Sequence, residues 1–254
     1  MNMDALDIGI LGPAFLAGLL VLITHVPLGR QVLARGIVFI DLAVAQVAAL
    51  GVLSADLVGW EPKGWQVQLL ATGAALLAAL LLTWMEKRWA EIQEALIGAM
   101  FVLAASAAII LLAHNPHGGE HLRDLLGGQI LWVTWSDLLP LAMITVLTVF
   151  LRIRFNQQLD AMGFYGLFAI VVTASVQLVG VYLVFSSLIL PALAVRGWKQ
   201  ARQPVLAYFV GALAYLSGLI LSALFDLPSG AVIVWMLALI GLAVGRLRGY
   251  DKRY

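Results

Sequence analysis

The feature that most constrains this chain is a succession of long apolar stretches that fill most of its 254 residues. Hydrophobic residues make up 63% of the sequence and charged residues 11%, whereas charged residues alone approach a quarter of an ordinary soluble domain. A membrane-spanning helix needs about 20 apolar residues and uses about 28 with its loop, so the chain has room for about eight or nine crossings. The sequence therefore predicts an all-α integral membrane bundle in which residues 1–254 form a single domain.

The helix count depends on the seventh of nine apolar stretches. That stretch is short and carries Pro191 near its end, which favours either a half-helix or a short, steeply packed helix. The count therefore stays at eight or nine. The stretches are 8–26, 36–58, 67–85, 92–113, 130–153, 164–183, 184–195, 205–225 and 230–245.

The basic residues between the stretches predict the orientation. With the N-terminus outside and the stretches threaded in order, thirteen of the fifteen Lys and Arg residues fall in the cytoplasm, and only Lys63 and Arg123 fall outside. Such an excess is typical of the cytoplasmic side of membrane proteins. We therefore expect an external N-terminus and a cytoplasmic C-terminus, with residues 114–129 outside and residues 155–163 inside.

Polar side chains within the apolar stretches are candidates for a path through the membrane. A carboxylate in a membrane helix usually faces the bundle interior or a wet pathway. Asp41 and Glu94 lie close to predicted cytoplasmic helix ends, so interfacial water is the alternative explanation for both. The uncharged candidates can instead bond to neighbouring helices. The candidate path residues are Asp41, Gln46, Glu94, Gln129 and Gln177.

The predicted external loop holds three of the four His residues of the chain, with an acidic residue beside them. Imidazole and carboxylate together suit zinc or another borderline divalent cation. Gly and Pro in the loop favour a loose site over a closed structural one, and a solvated polar loop remains the alternative. The fourth His of the chain, His25, is predicted to have a structural role. The candidate metal ligands are His114, His117, Glu120 and His121.

Several functions are disfavoured by what the sequence lacks. There are no Cys residues, so no thiolate site is possible, and neither an HExxH nor a GxSxG pattern occurs. The net charge of +1, without a basic cluster, argues against nucleic acid as a partner. No phosphate-binding P-loop is present either. If ATP drives a process here, another chain must bind it.

Six segments, in order and over nearly the whole chain, resemble the permease subunits of bacterial ABC importers for zinc, manganese and iron. They are PLGRQVLARGIVFIDLAVAQVAALG, EALIGAMFVLAAS, HLRDLLGGQILWVTWSDL, QLDAMGF, VQLVGVYLVFSSLILPALAVR and DLPSGAVIV.

The resemblance implies a type II-like importer permease in the bacterial inner membrane. It implies a dimer of this chain on two cytoplasmic ATPase subunits that bind ATP, with a periplasmic protein delivering metal as the transported substrate. No cofactor is implied for this chain itself. In such permeases a short cytoplasmic helix couples to the ATPase, and here an ordinary interhelical loop is the alternative. The matching residues are Leu159, Asp160, Ala161, Met162 and Gly163.

The chain departs from the family pattern inside the membrane. The family's second helix usually carries an Asp and, four residues later, a His; an ungapped alignment places Leu42 and Gln46 there. Asp41 stands one position earlier, about 100° around the helix. A further His of the pattern falls on Val102. Either Asp41 substitutes, or the external His residues supply the ligands.

The resulting expectation is the permease subunit of an ATP-driven importer of a divalent metal, zinc first and manganese or iron next. One alternative keeps the architecture and carries a chelated metal or a small organic molecule. An alternative of another class is a membrane metalloenzyme with a zinc site of external His and Glu residues, and a purely structural membrane subunit comes last.

Overall fold

The computed structural model describes residues 7–57, 60, 64–112, 128, 130–154 and 161–251, and these residues form helices without a strand. Short 3-10 turns at Ala90–Ile92 and Ile130–Trp132 precede the fourth and fifth α-helices. The nine α-helices within the described residues are α1 (Ile8–Arg35), α2 (Ile40–Leu57), α3 (Trp65–Arg88), α4 (Gln93–Leu112), α5 (Trp135–Arg154), α6 (Ala161–Val179), α7 (Val181–Ala194), α8 (Gln203–Phe225) and α9 (Ser229–Asp251).

The predicted all-α membrane bundle is confirmed. Seven helices in the described parts of the chain are long and apolar enough to cross a membrane, whereas the apolar parts of α2 and α7 are shorter. Large apolar side chains also point outward where a soluble protein would carry charge; Leu103 is 71% exposed and Val146 is 69% exposed. The surface of the bundle is therefore suited to lipid.

The first helix is longer than its apolar stretch. The sequence predicts an end near residue 26, before Pro27, and this boundary is wrong because α1 continues to Arg35. Pro27 has no N–H for the Ile23 carbonyl, but the Tyr208 hydroxyl donates to that carbonyl at 3.4 Å. Gly36, with φ of 73°, then ends the helix.

The sixth and seventh helices divide earlier than expected. The predicted boundary between residues 183 and 184 is wrong, because the break lies at Gly180, whose φ of 81° no regular helix allows. α7 then runs for 14 residues, about 21 Å, against a hydrocarbon core of about 30 Å. It is therefore a separate short helix, and Pro191 lies within it near its C-terminal end, as the sequence indicates.

Helix packing divides the bundle into two groups. α2 packs against α3, α4 and α6, while α1 packs against α7 and α8, and α9 covers α7 and α8. Small residues permit the closest approaches: a Cβ on Gly29 would collide with the Leu188 carbonyl, and one on Gly51 would meet the Ala71 backbone. Small residues thus act in helix packing, as the sequence predicts.

Candidate functional site

Two carboxylates lie near the starts of adjacent helices. Asp41, in the first turn of α2, is 1% exposed, and neither of its oxygens has a hydrogen-bond partner among the described residues. Glu94, in the first turn of α4, accepts a hydrogen bond from the Phe39 N–H at 3.2 Å through Oε1. Its Oε2 is buried and also lacks a partner in that part of the chain. Water at a helix end does not explain the burial of Asp41.

The uncharged candidates occupy other parts of the bundle. Gln46 is buried in α2 at 4% exposure. Gln177 of α6 accepts a hydrogen bond from Gln68 of α3, while its own Nε2 is buried without a partner in the described structure. Gln177 therefore joins two helices, and Gln129 lies outside the described residues.

Sequence reasoning missed one buried polar group on α6. The Thr173 hydroxyl is buried and has no hydrogen-bond partner within the ranges that the structure describes. Most membrane Thr residues bond the carbonyl four residues earlier, as Thr83 and Thr148 do here. The sequence alone cannot distinguish these cases, because all three Thr residues lie in apolar stretches.

His25 is fully buried in α1. Its Nδ1 lies 2.9 Å from the Val21 carbonyl oxygen and 3.0 Å from Thr24 Oγ1. Nε2 is buried and meets no partner in the described chain. The contacts of Nδ1 fit the predicted structural role, and Nε2 is a further polar atom in the bundle interior.

The four predicted metal ligands, His114, His117, Glu120 and His121, lie outside the described residues. Within the described ranges, no group of three or more His, Cys, Asp or Glu side chains could hold a metal ion. The nearest described residue of that loop, Gly128, has φ of 66° and packs against the Val179 carbonyl. The loop thus returns to the bundle at the junction of α6 and α7.

Two positions of the family's ligand pattern carry apolar side chains here, and the third carries the uncharged Gln46. Leu42 is half-buried next to Asp41, and Val102 of α4 is 57% exposed. The described helices therefore contain no Asp and His pair one turn apart at these positions. Asp41 is the carboxylate next to these positions on α2.

Arg35 connects α1 to the beginning of α6. Its guanidinium lies 4.2 Å from the centre of the Phe164 ring and 6.0 Å from that of Tyr165, within the range of a cation–π interaction. The same guanidinium lies 3.7 Å from a carboxylate oxygen of Glu86 in α3. Three helices thus meet at one cation.

Tyr165 extends this contact to α4, since Gln93 Nε2 donates to its hydroxyl at 2.7 Å. We call Arg35, Glu86, Gln93, Phe164 and Tyr165 the cytoplasmic network, after the side of the membrane on which the sequence predicts them. Its first residue on α6, Phe164, directly follows Gly163 in the sequence. Of the predicted coupling residues, Ala161, Met162 and Gly163 form the first turn of α6, and Leu159 and Asp160 lie outside the described residues.

Comparison with known proteins agrees with this architecture. The chain is 24% identical to the high-affinity zinc uptake system membrane protein ZnuB of Haemophilus influenzae, over 89% of this chain and 92% of the relative. It is 25% identical to the manganese transport system membrane protein MntC of Halalkalibacterium halodurans, over 87% of this chain and 81% of the relative.

A solved structure shows the same fold. The structure of PsaBC from Streptococcus pneumoniae in complex with Fab matches with a TM-score of 0.76 at 22% identity, over 96% of this chain and 95% of that chain. The model of the ABC 3 transport family matches residues 7–165 and 155–246. The chain therefore belongs to the ABC 3 transport family and is a metal-type ABC transporter permease, a multi-pass inner-membrane subunit that is not an enzyme.

Proposed function

We propose that this permease carries a divalent metal ion into the cytoplasm, with zinc as the first candidate and manganese or iron as the next. The observation that carries the proposal is the buried, unpartnered carboxylate of Asp41 in a permease of this family. The relatives named for zinc and manganese transport support the class of cargo. They do not choose between the two metals.

A buried carboxylate suits a passing cation. A charge on this group would be costly without a partner, and a divalent ion that binds it would relieve that cost while it stays. The second acidic group, Glu94, lies at the start of the adjacent helix α4. With no cluster of three acidic or His ligands in the described chain, the ion would be held weakly and released readily.

In the proposed orientation, the cytoplasmic network lies on the side of the membrane where the ATPase subunits bind. In the orientation with the N-terminus outside, residues 155–163 face the cytoplasm and contact an ATPase on a separate chain. Two copies of the permease and two ATPase subunits form the transporter, and a periplasmic binding protein docks near residues 114–121. The contacts of Arg35 then pass movement at the start of α6 to α1, α3 and α4.

Transport would follow from alternating outward-open and inward-open arrangements of these helices. The energy comes from ATP in the partner, since this chain has no P-loop. Membership in a transporter family sets aside the metalloenzyme alternative.

The test is ATP-dependent uptake into vesicles that contain this chain with its cognate ATPase and binding protein. Zinc, manganese and iron are each offered to the intact permease and to a variant with His117→Ala and His121→Ala. We expect one metal to accumulate, and the double variant to reduce its uptake. ATPase activity that depends on the permease, without uptake of any of the three metals, would contradict the proposal.

A second candidate cargo is a chelated metal or a small organic molecule. Leu42, Gln46 and Val102, which occupy the family's ligand positions, favour it, because an uncharged path suits a complexed or neutral cargo better than a bare cation. Equilibrium binding of the free ions to the purified permease separates the candidates. Tight binding of one ion that Asp41→Asn abolishes would exclude the chelate.

A further inference from the structure

The face of α1 that carries Leu16, Ile23 and Arg30 is partly exposed, and we call the space over this face, between α5 and α8, the crevice. α5 and α8 both pack against α1 but do not pack closely against each other. They form the walls of the crevice, and α1 forms its floor. Apolar side chains line both walls near one end: Phe150 of α5 is 60% exposed, and Phe209 of α8 is 56% exposed.

Two guanidinium groups meet at that end of the crevice. Arg152 of α5 and Arg30 of α1 are close enough to repel each other, and both interact electrostatically with the Tyr208 hydroxyl of α8. All three side chains are half-buried. Three helices thus bring two positive charges and a hydroxyl to one place.

Among the described residues, no ion pair of Arg30 or Arg152 with an acidic side chain is found. Arg30 donates a hydrogen bond to the uncharged Gln203 side chain at 3.2 Å, and Arg152 Nε is buried without a partner in the described residues. The ion pair formed by described side chains lies elsewhere, between Arg35 and Glu86. A buried guanidinium N–H without an acceptor is costly, so an anion from outside the chain would be stabilised here.

The floor of the crevice leads from the charges into the membrane. Leu16, Ile23 and Arg30 recur every seven residues on α1 and therefore share one face. Leu16 and Ile23 are each 38% exposed. The stripe extends for about 21 Å, enough for an acyl chain in one leaflet of about 15 Å.

We propose that this crevice binds an anionic phospholipid. The phosphate would lie between Arg30 and Arg152, close to Tyr208, whose hydroxyl donates to the Ile23 carbonyl, and an acyl chain would follow Ile23 and Leu16 between α5 and α8. Basic pockets between membrane helices are suited to such headgroups. In the orientation proposed above, the lipid belongs to the cytoplasmic leaflet, but its binding does not depend on the cargo.

The test uses the full chain, stripped of lipid in neutral detergent, and native mass spectrometry with added phosphatidylglycerol or phosphatidylcholine. We expect the intact permease to retain phosphatidylglycerol preferentially. Arg152→Gln should lower that preference about fivefold, the effect of one basic residue near an anionic lipid. Arg88→Gln, which removes an exposed basic residue at the end of α3, is the matched control and should leave the preference unchanged.

Two further measurements distinguish a bound lipid from a bound free anion, and a lost binding site from misfolding. Ile23→Trp would fill the floor while keeping both charges, and it should lower phosphatidylglycerol retention as well. Inorganic phosphate should protect poorly against thermal unfolding, because it lacks an acyl chain. An unchanged lipid preference in folded Arg152→Gln would overturn the proposal. Full phosphatidylglycerol retention in Ile23→Trp would also overturn it. If Arg152→Gln does not fold, the Ile23→Trp measurement alone tests the proposal. Equal protection by inorganic phosphate would also overturn it.

Discussion

At the residue scale, the position of Asp41 decides how much of the family's ion chemistry this chain keeps. The carboxylate stands one residue before the position where relatives usually carry Asp, and Leu42 occupies that position. A shift of one residue rotates the side chain by about 100° on a helix. Yet Asp41 remains buried, and no side chain of the described residues pairs with its carboxyl group. Such a group is kept at a cost to stability, which is the usual mark of a functional residue in a membrane helix.

The first prediction concerns this charge. Asp41→Asn keeps the side-chain shape but cannot supply a negative charge to a passing ion, so we expect the initial rate of metal uptake to fall at least about tenfold. Thermal stability should be unchanged or higher, because Asn cannot place an uncompensated charge inside the bundle. Vesicle uptake assays and thermal unfolding measure the two effects. The control is Glu91→Gln, which neutralises an exposed carboxylate near the start of α4. Equal uptake by Asp41→Asn and the intact chain would refute the assigned role.

The second prediction concerns the cation of the cytoplasmic network. Arg35→Met keeps an apolar stem but removes the charge over Phe164 and the pair with Glu86. We expect a loss of about 1–2 kcal/mol in unfolding free energy, since a partly desolvated cation–π interaction contributes about that much. Uptake per ATP hydrolysed should also fall, because α1 and α3 lose the contact that Arg35 makes with the first turn of α6. Arg88→Met, at an exposed position of α3, should change neither quantity. If Arg35→Met loses stability but its uptake per ATP is unchanged, the network has a purely structural role and the predicted coupling role is wrong.

At the element scale, the sequence predicts which segments become helices more reliably than where they end. Hydropathy reports lipid exposure, so it locates the apolar part of α1 but not its extension past Pro27, which depends on a hydroxyl from Tyr208 in a distant segment. Likewise, residues 164–195 are apolar almost throughout, and only the backbone conformation of Gly180 shows where α6 ends. Helix ends of this kind follow from tertiary contacts and backbone geometry, which apolar periodicity does not encode.

The third prediction tests the contact between α1 and α7. Gly29→Ala would place a methyl group against the Leu188 carbonyl, and the helices would have to separate. We expect a loss of about 1–3 kcal/mol, the usual cost of overpacking. The matched change is Gly73→Ala in α3, where a Cβ meets nothing within 4 Å. That variant should be neutral or slightly stabilised, because Ala favours helices more than Gly does. Thermal unfolding in detergent compares the two, and equal melting temperatures would show that the close approach contributes little.

At the scale of the whole molecule, the family could be predicted from the sequence because its segments keep their order and type. The candidate path could be predicted only in part. Polarity within apolar stretches identified Asp41 and Glu94, but the lack of partners for Asp41 is a property of the packed bundle. The meeting of Arg30, Arg152 and Tyr208 was not predictable either, since the three residues come from separate helices. In the sequence, Arg30 and Arg152 resemble ordinary basic residues near loops. They form a candidate site only because the helices that carry them lie close together in the bundle.

The orientation of the whole bundle gives the last prediction. Because the chain contains no Cys, single Cys residues can be introduced without removing others. With nine crossings and an external N-terminus, Lys63→Cys faces the periplasm and Lys199→Cys faces the cytoplasm. We expect a membrane-impermeant thiol reagent to label Lys63→Cys in intact spheroplasts, and to label Lys199→Cys only after the membrane is opened. Arg88→Cys, also predicted inside, should behave like Lys199→Cys. The reverse pattern would invert the bundle, and labelling of Lys63→Cys and Lys199→Cys from the same side would mean that α7, or another helix between them, does not cross.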